Sequence, residues 1–386
     1  MTLHEPTWDA ARAAALTAAR PLPAVHMPLA GALGLTLAEP LVARTEVPAF
    51  DTSMMDGWAV SGDGPWTIRG RILAGSVGEA LATGMAAQIA TGAPVPPGTT
   101  AVLRREWGSV SDDVLETTHA LSNGLDIRQA GDEAHAGDVL LAAGSVVTPP
   151  VIGLAALVGN DELVVYRRPS VAALILGDEL VHEGVPPMGK VRDALGVQLL
   201  DWANGFAAEK RGVAFVEDTL ESTVDAIRAA DADIIFTTGG TARGPVDHVH
   251  AALAEVGGRL IVDEVKVRPG HPMLLASLPT GQFVVGLPGN PLAAVAGYLT
   301  FADPLLRAMT GRPLPELRTA ITTTAIKAPP GERRLIPAHL DGEQATPTEF
   351  WGSAMLRGIS ESNCFLVSEP GGSAVGDVVG VLELPW

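Results

Sequence analysis

The chain has 386 residues, with 26 Lys or Arg against 44 Asp or Glu, a formal net charge of −18. At roughly 150 residues per domain the length implies two to three domains, and 47% apolar residues exclude a disordered chain. The negative balance excludes nonspecific binding to nucleic acid or anionic membranes, so an anionic ligand must be held by local N–H groups, a few cations or a metal ion. The single cysteine, Cys364, allows no intrachain disulfide and no thiolate metal cage. It lies in the apolar run Cys364-Phe365-Leu366-Val367 and reads as a core residue. Apolar runs such as residues 151–158 are too short to span a bilayer, and the start of the chain shows no signal-peptide pattern. A cytoplasmic location is expected.

In chain order, residues 8–19 form an alanine-rich amphipathic helix, and residues 30–37 predict a second, ended by Pro40. In residues 47–60, Asp51, Thr52 and Ser53 are turn and cap formers and Asp56-Gly57 is a tight-turn pair, which predicts a hairpin. Short alternating strands rich in Gly and Pro follow over 66–126, marking a small β domain that carries the loop Thr91-Gly92-Ala93-Pro94. Asp132, Glu133 and Asp138 lie between glycines, as a solvated face or as a metal-facing group. Beyond Pro149-Pro150 the pattern becomes helix 151–158, a buried strand ending in Gly177-Asp178-Glu179-Leu180, helix 195–205, strand 213–216 and helix 220–230. The run Asp233-Ile234-Ile235-Phe236-Thr237-Thr238 is a buried strand that breaks into Gly239-Gly240-Thr241-Ala242-Arg243-Gly244-Pro245-Val246-Asp247. Strand–helix alternation implies a doubly wound parallel sheet, whose strand ends are where ligands dock. The glycine loop reads either as an ordinary βα connection or as a phosphate cradle. Further on, Arg268-Pro269-Gly270-His271-Pro272 is a rigid turn bearing cations. Asn290 and Pro291 then open a long apolar helix through Leu306. Short strands from 317 onward predict a closing barrel or sandwich.

Six of these segments, in this order and spacing, resemble the molybdopterin molybdenumtransferase family (MoeA and the E domain of gephyrin). They are 47–60, Thr91-Gly92-Ala93-Pro94, Gly177-Asp178-Glu179-Leu180, 239–247, Pro269-Gly270-His271-Pro272 and 286–291. The resemblance implies an α/β multidomain protein with four parts. Residues 1–44 plus 129–168 form an elongated, segmented domain used in dimerisation, and 45–128 an inserted small β domain. Residues 169–311 form the central doubly wound, MogA-like pterin-binding domain, and 312–386 a C-terminal β-barrel.

It further implies a homodimer whose active site lies at the subunit interface. The reaction cleaves adenylylated molybdopterin, releases AMP and installs molybdate, with Mg²⁺ assisting; a molybdopterin adenylyltransferase is an expected partner. By the same resemblance Asp56, Thr91, Glu179, Asp218 and Asp247 are catalytic. Glu179 and Asp247 would position metal or water, and Asp56 would reach in from the partner subunit. Gly239, Gly240 and Thr241 would offer N–H groups to the pterin phosphate, with Arg243 beside them, and Arg268, His271 and Ser353 would face molybdate.

The chain departs from the family pattern at several points. Ile175-Leu176 precede the Gly-Asp-Glu-Leu turn where a hydroxyl is usual, and Asp193-Ala194-Leu195 lacks an amide side chain. Ala242-Arg243 replaces a hydroxyl with a cation, His271 replaces a lysine, and Gly131-Asp132-Glu133 is transposed. These departures suit a second function, a catalytically impaired homologue that binds pterin or a partner protein as a scaffold; a third is a nucleotide or pyrophosphate hydrolase using the same metal cleft without molybdate.

Overall fold

A computed structural model of the protein describes residues 2–241 and 248–386. Ser170–Leu176 and Ile234–Thr238 are apolar at nearly every position, as befits strands covered on both faces, and every residue in them is buried. They lie side by side in a seven-stranded sheet. Its order is Leu3–His4, Arg259–Asp263, Leu274–Ser277, Phe283–Leu287, Ile234–Thr238, Ser170–Leu176, Glu209–Val216. Only Leu274–Ser277 runs against the others. Its connection to Phe283–Leu287 is a tight turn closed by Leu278 N–H to the Gln282 carbonyl at 2.8 Å, too short for a crossover helix.

Helices cover both faces. Leu220–Ala229 and Val249–Glu255 bury Val224, Ile227, Val249 and Leu253 on one side. The other side carries Trp8–Ala18 and a continuous rod from Pro291 to Met309 with a π-helical turn at Tyr298–Ala302. Trp8–Ala18, capped by Thr7, docks on this rod: the Trp8 indole N–H donates to Thr300 Oγ1 at 3.0 Å, and buried Arg12 donates to the Leu299 carbonyl. The N-terminal helix therefore packs against the α/β body.

The elongated part is tied by two antiparallel pairs, Ala24–Pro28 with Glu162–Tyr166 and Leu41–Val42 with Val139–Leu141. Helix 30–37 does not form. Leu29–Gly31 makes a single 3₁₀ turn, and the Gly34 and Leu37 N–H groups donate to the Val147 and Ser145 carbonyls. Cross-chain pairing and two glycines outweigh the helical apolar spacing there.

Residues 47–60 make no hairpin with themselves. Thr52–Ser53 pairs with Ile127–Arg128, while Gly57–Val60 pairs with Met85–Ile89 and Ala101–Arg104 in the six-stranded sheet of the inserted domain. A Cβ on Gly57 would lie 2.0 Å from the Leu103 carbonyl oxygen, so only glycine lets these strands meet. The expected helix 195–205 begins late, as a 3₁₀ helix at Leu199–Phe206, after Asp193 has bound the Leu195 and Gly196 N–H groups. The C-terminal part is a closed five-stranded barrel. Arg333–Asp341 pairs with Gln344–Pro347 on one edge and Cys364–Val367 on the other. Cys364 is buried in it.

Candidate active site at the switch point

The chain leaves Ser170–Leu176 for Glu209–Val216 on one side and then crosses to Ile234–Thr238 on the other. Strand order therefore reverses between residues 176 and 238, and the crevice above that point is where open α/β sheets bind ligands. The loops that leave strands Ser170–Leu176, Glu209–Val216 and Ile234–Thr238 all lie at this end of the sheet. Gly177, in the left-handed region at φ +136, turns the chain so that Asp178 and Glu179 are exposed at the rim. Asp178 and Asp218, at the ends of neighbouring strands, clasp each other's main chain. The Asp178 N–H donates to Asp218 Oδ2 at 3.1 Å, and the Asp218 N–H to Asp178 Oδ1 at 3.3 Å. Lys190 Nζ donates to the Asp178 carbonyl at 2.7 Å.

On the other flank the Gly239 N–H is spent on the Leu287 carbonyl at 2.9 Å. Gly239 therefore serves as a hinge at φ +81, and the N–H of Gly240 and of Thr241 remain without a partner among the described residues. The Cβ that Gly289 lacks would sit 3.7 Å from Gly239 Cα, so the two glycine backbones lie against each other. Arg243 and Asp247 lie outside the described residues, as does Ala242.

Asn290 occupies the expected cap position before Pro291, but its side chain makes no capping bond. The carbonyl of Ser353, on a barrel loop, accepts instead from Leu292 and Ala293 N–H at 3.0 and 3.2 Å. This seats an exposed Ser353 on the rim and joins barrel to sheet. Arg268 and His271 lie further along. Arg268 forms an ion pair with Glu332, with Nε 2.8 Å from Oε2, and its strand Val267–Arg268 pairs with barrel strand Arg333–Asp341. His271 Nε2 lies 3.4 Å from Glu5 Oε1.

Asp56 and Thr91 are brought together, but within the inserted domain. Asp56 Oδ1 accepts from the Thr91 N–H at 2.8 Å and from its hydroxyl at 3.1 Å. These two bonds, the main-chain one foremost, hold the Asp56 carboxyl below its ordinary range, with Arg105 adding a weaker pull. Among the described residues no hydrogen bond or ion pair links the inserted domain, 45–128, to the α/β domain, 169–311. A cavity of about 1060 Å³, lined by Trp66, Trp107, Glu116 and His119, lies within the inserted domain, away from this rim.

Sequence reasoning did not assign Asp178, although it stands inside the recognised turn. Lys190 carried no signal, because its role depends on a loop folding back. Asp132 and Glu133 ion-pair with Arg128, which is the solvated-face outcome.

A switch-point rim with exposed carboxylates, and with two glycine-loop amides unpartnered among the described residues, is the arrangement expected of an α/β protein that takes an anionic ligand at the ends of its parallel strands. Three family models tile the chain: the MoeA N-terminal region (domain I and II) over residues 7–159, the probable molybdopterin binding domain over 172–308, and the MoeA C-terminal region (domain IV) over 319–384. Molybdopterin molybdenumtransferase 2 of Mycobacterium tuberculosis is 33% identical over 366 residues, 89% of this chain and 90% of its own. Molybdopterin molybdenumtransferase of Staphylococcus aureus is 31% identical over 372 residues, 91% of this chain and 88% of its own. The crystal structure of a MoeA protein from Pyrococcus horikoshii superposes with a TM-score of 0.83 at 24% identity, covering 98% of this chain and 99% of that one. The chain belongs to the molybdopterin molybdenumtransferase (MoeA) family, with the segmented, four-part architecture read from its motifs.

Proposed function

We propose that this protein is a molybdopterin molybdenumtransferase that takes adenylylated molybdopterin and molybdate, releases AMP and forms molybdenum cofactor. The observation that carries the reading is 31–33% identity to proteins so named over about nine-tenths of the chain; the rim supplies the matching chemistry. Cleaving a pyrophosphate needs charge neutralised on the phosphoryl oxygens and an oxygen nucleophile held in line. Gly240 and Thr241 N–H groups, unpartnered among the described residues, would bind those oxygens. Glu179, exposed at the same rim, would orient water. Asp218 fixes the Asp178 turn and so the position of Glu179. The Ser353 loop would meet the incoming oxyanion from the barrel side; Arg268, whose guanidinium is engaged by Glu332, would join it only through its remaining N–H groups.

The exposed carboxylate of Glu179 and the half-buried one of Asp218 suit Mg²⁺, a hard cation that keeps several waters and needs only one or two protein carboxylates. Glu179 and Asp247 would hold it, and when bound it would neutralise phosphoryl charge. Asp56, with Thr91 fixing its rotamer, would enter from the inserted domain of a second copy, making the functional unit a homodimer. An oxyanion role for His271 would set molybdate against a carboxylate, so it is not part of this assignment.

The test incubates purified protein with adenylylated molybdopterin, Mg²⁺ and molybdate. Molybdate-dependent AMP release is expected, and Asp247→Asn should lower it at least about 100-fold with Tm nearly unchanged. Undiminished turnover in that variant would remove Asp247 from the metal site. Pterin binding without AMP release would favour the scaffold reading, to which the missing amide side chain at Ala194-Leu195 lends support. AMP release regardless of molybdate would favour a hydrolase.

A further inference from the structure

We infer that Glu5, Glu264 and His271 form a binding site for a divalent transition cation at the far end of the sheet's rim. Glu5 follows the edge strand Leu3–His4, and Glu264 follows its neighbour Arg259–Asp263. His271 stands in the turn that leads back into Leu274–Ser277. One ligand atom from each of the three lies within 4.8 Å of the other two. Donors around a first-row metal at 2.0–2.2 Å stand about 3.0–3.5 Å apart, a closing motion within reach of side-chain rotation alone.

The backbone beneath is fixed. Glu5 N–H donates to the Asp263 carbonyl and Glu264 N–H to the Met273 carbonyl, both at 3.0 Å, and Val265 N–H donates to the His271 carbonyl at 3.0 Å. Glu5 and Glu264 both sit in the left-handed region, at φ +44 and +59.

Charge decides what the site takes. Among the described residues neither carboxylate has an Arg or Lys partner; the one ion pair is between Glu5 and His271. Two negative groups around one imidazole repel an oxyanion and attract a cation. The imidazole selects against Mg²⁺ and Ca²⁺, which prefer oxygen, and toward Zn²⁺ and its neighbours. Three protein donors, with Glu5 exposed, leave a coordination position open to water. Bound metal would clamp the N-terminal segment onto the sheet edge. The adjacent set, with His250 Nε2 2.8 Å and His4 Nδ1 3.5 Å from Asp263, is a separate group facing the neighbouring residues of the same two segments.

Calorimetric titration of tag-free full-length protein with Zn²⁺ tests the site, with Co²⁺ absorption as a second readout. One Zn²⁺ per chain is expected, undisplaced by excess Mg²⁺ and raising Tm. Glu264→Gln and His271→Ala should each weaken binding at least about 100-fold, since outer-shell partners alone carry 10–100-fold, and should abolish the Tm rise. His250→Ala should bind as the parent does. Absence of Zn²⁺ binding in the parent, or unchanged affinity in both ligand variants with their fold intact by circular dichroism, would overturn the assignment. Because the readout is metal affinity, failure here leaves the transferase reading standing.

Discussion

Asp56 shows how one side chain can be prepared by its neighbours while remaining in water. Its carboxylate is exposed, and what holds its pKa below the ordinary range is the pair of donors offered by Thr91. Thr91→Val removes the hydroxyl and keeps the stronger N–H. The Asp56 pKa should therefore rise toward, but not reach, its ordinary value. Protonation then occurs at higher pH, so the acid limb of the activity profile should move upward with it. Carboxyl-carbon NMR titration of parent and variant reads this directly, and coincident Asp56 curves would show that the hydroxyl contributes nothing. At this scale the sequence was legible where a residue's conformation is set by its own turn: Gly177 and Gly239 both take positive φ at the ends of their strands. Asp178, Lys190, Glu5 and Glu264 were not legible, because each works through a partner at least 12 positions away or on another strand. The Gly239 amide misled for the same reason: its acceptor is Leu287, on another strand.

Elements are held in register by polar pins at their ends as much as by apolar faces. At the edge opposite the active rim, Asp233 accepts from Arg167 Nη1 and Nη2 at 2.8 and 2.6 Å and from the Ser170 N–H and hydroxyl at 2.7 and 2.8 Å. Ser170 Oγ in turn accepts from the Asp233 N–H at 2.9 Å, so the two central strands start level. Burial pushes the Asp233 carboxyl upward, yet the Arg167 and Ser170 bonds together outweigh it and the net shift is downward. Asp233→Ala should cost roughly 1.5–3 kcal/mol, the worth of hydrogen bonds to a charged group, and leave turnover per folded molecule unchanged. A depressed folded pKa places this stabilisation at full strength above the unfolded value of about 3.9, and it is lost as pH falls through the folded value. Denaturant midpoints of parent and variant should therefore differ at pH 7 and converge in acid; a constant difference down to about pH 2 would refute the linkage. Strands 170–176 and 234–238 were readable because continuous apolar runs admit one interpretation. The 30–37 segment and the 47–60 hairpin were not, since local propensity was overridden by pairing with residues about 25 to 130 positions away.

At the scale of the whole molecule the arrangement poses a question that a single copy does not answer. The glycine rim, the Ser353 loop and the barrel are bonded into one face, whereas Asp56 and Thr91 stand in a domain that shares no hydrogen bond or ion pair with it among the described residues. Two-fold symmetry resolves this if each inserted domain serves the other copy's rim. Asp56→Asn and Glu179→Gln, made separately, should then each abolish turnover. Mixed by co-refolding, half the dimers pair one variant with the other. In such a dimer one site combines the intact Asp56 of one chain with the intact Glu179 of its partner, while the second site carries both lesions. The mixture should recover about one-quarter of parent activity, half the dimers having one of two sites restored. If both residues instead served a site within one chain, every chain in the mixture would still carry a lesion and no activity would return. Size-exclusion chromatography of the mixture, showing dimers throughout, makes an inactive result count against the shared site and not against assembly.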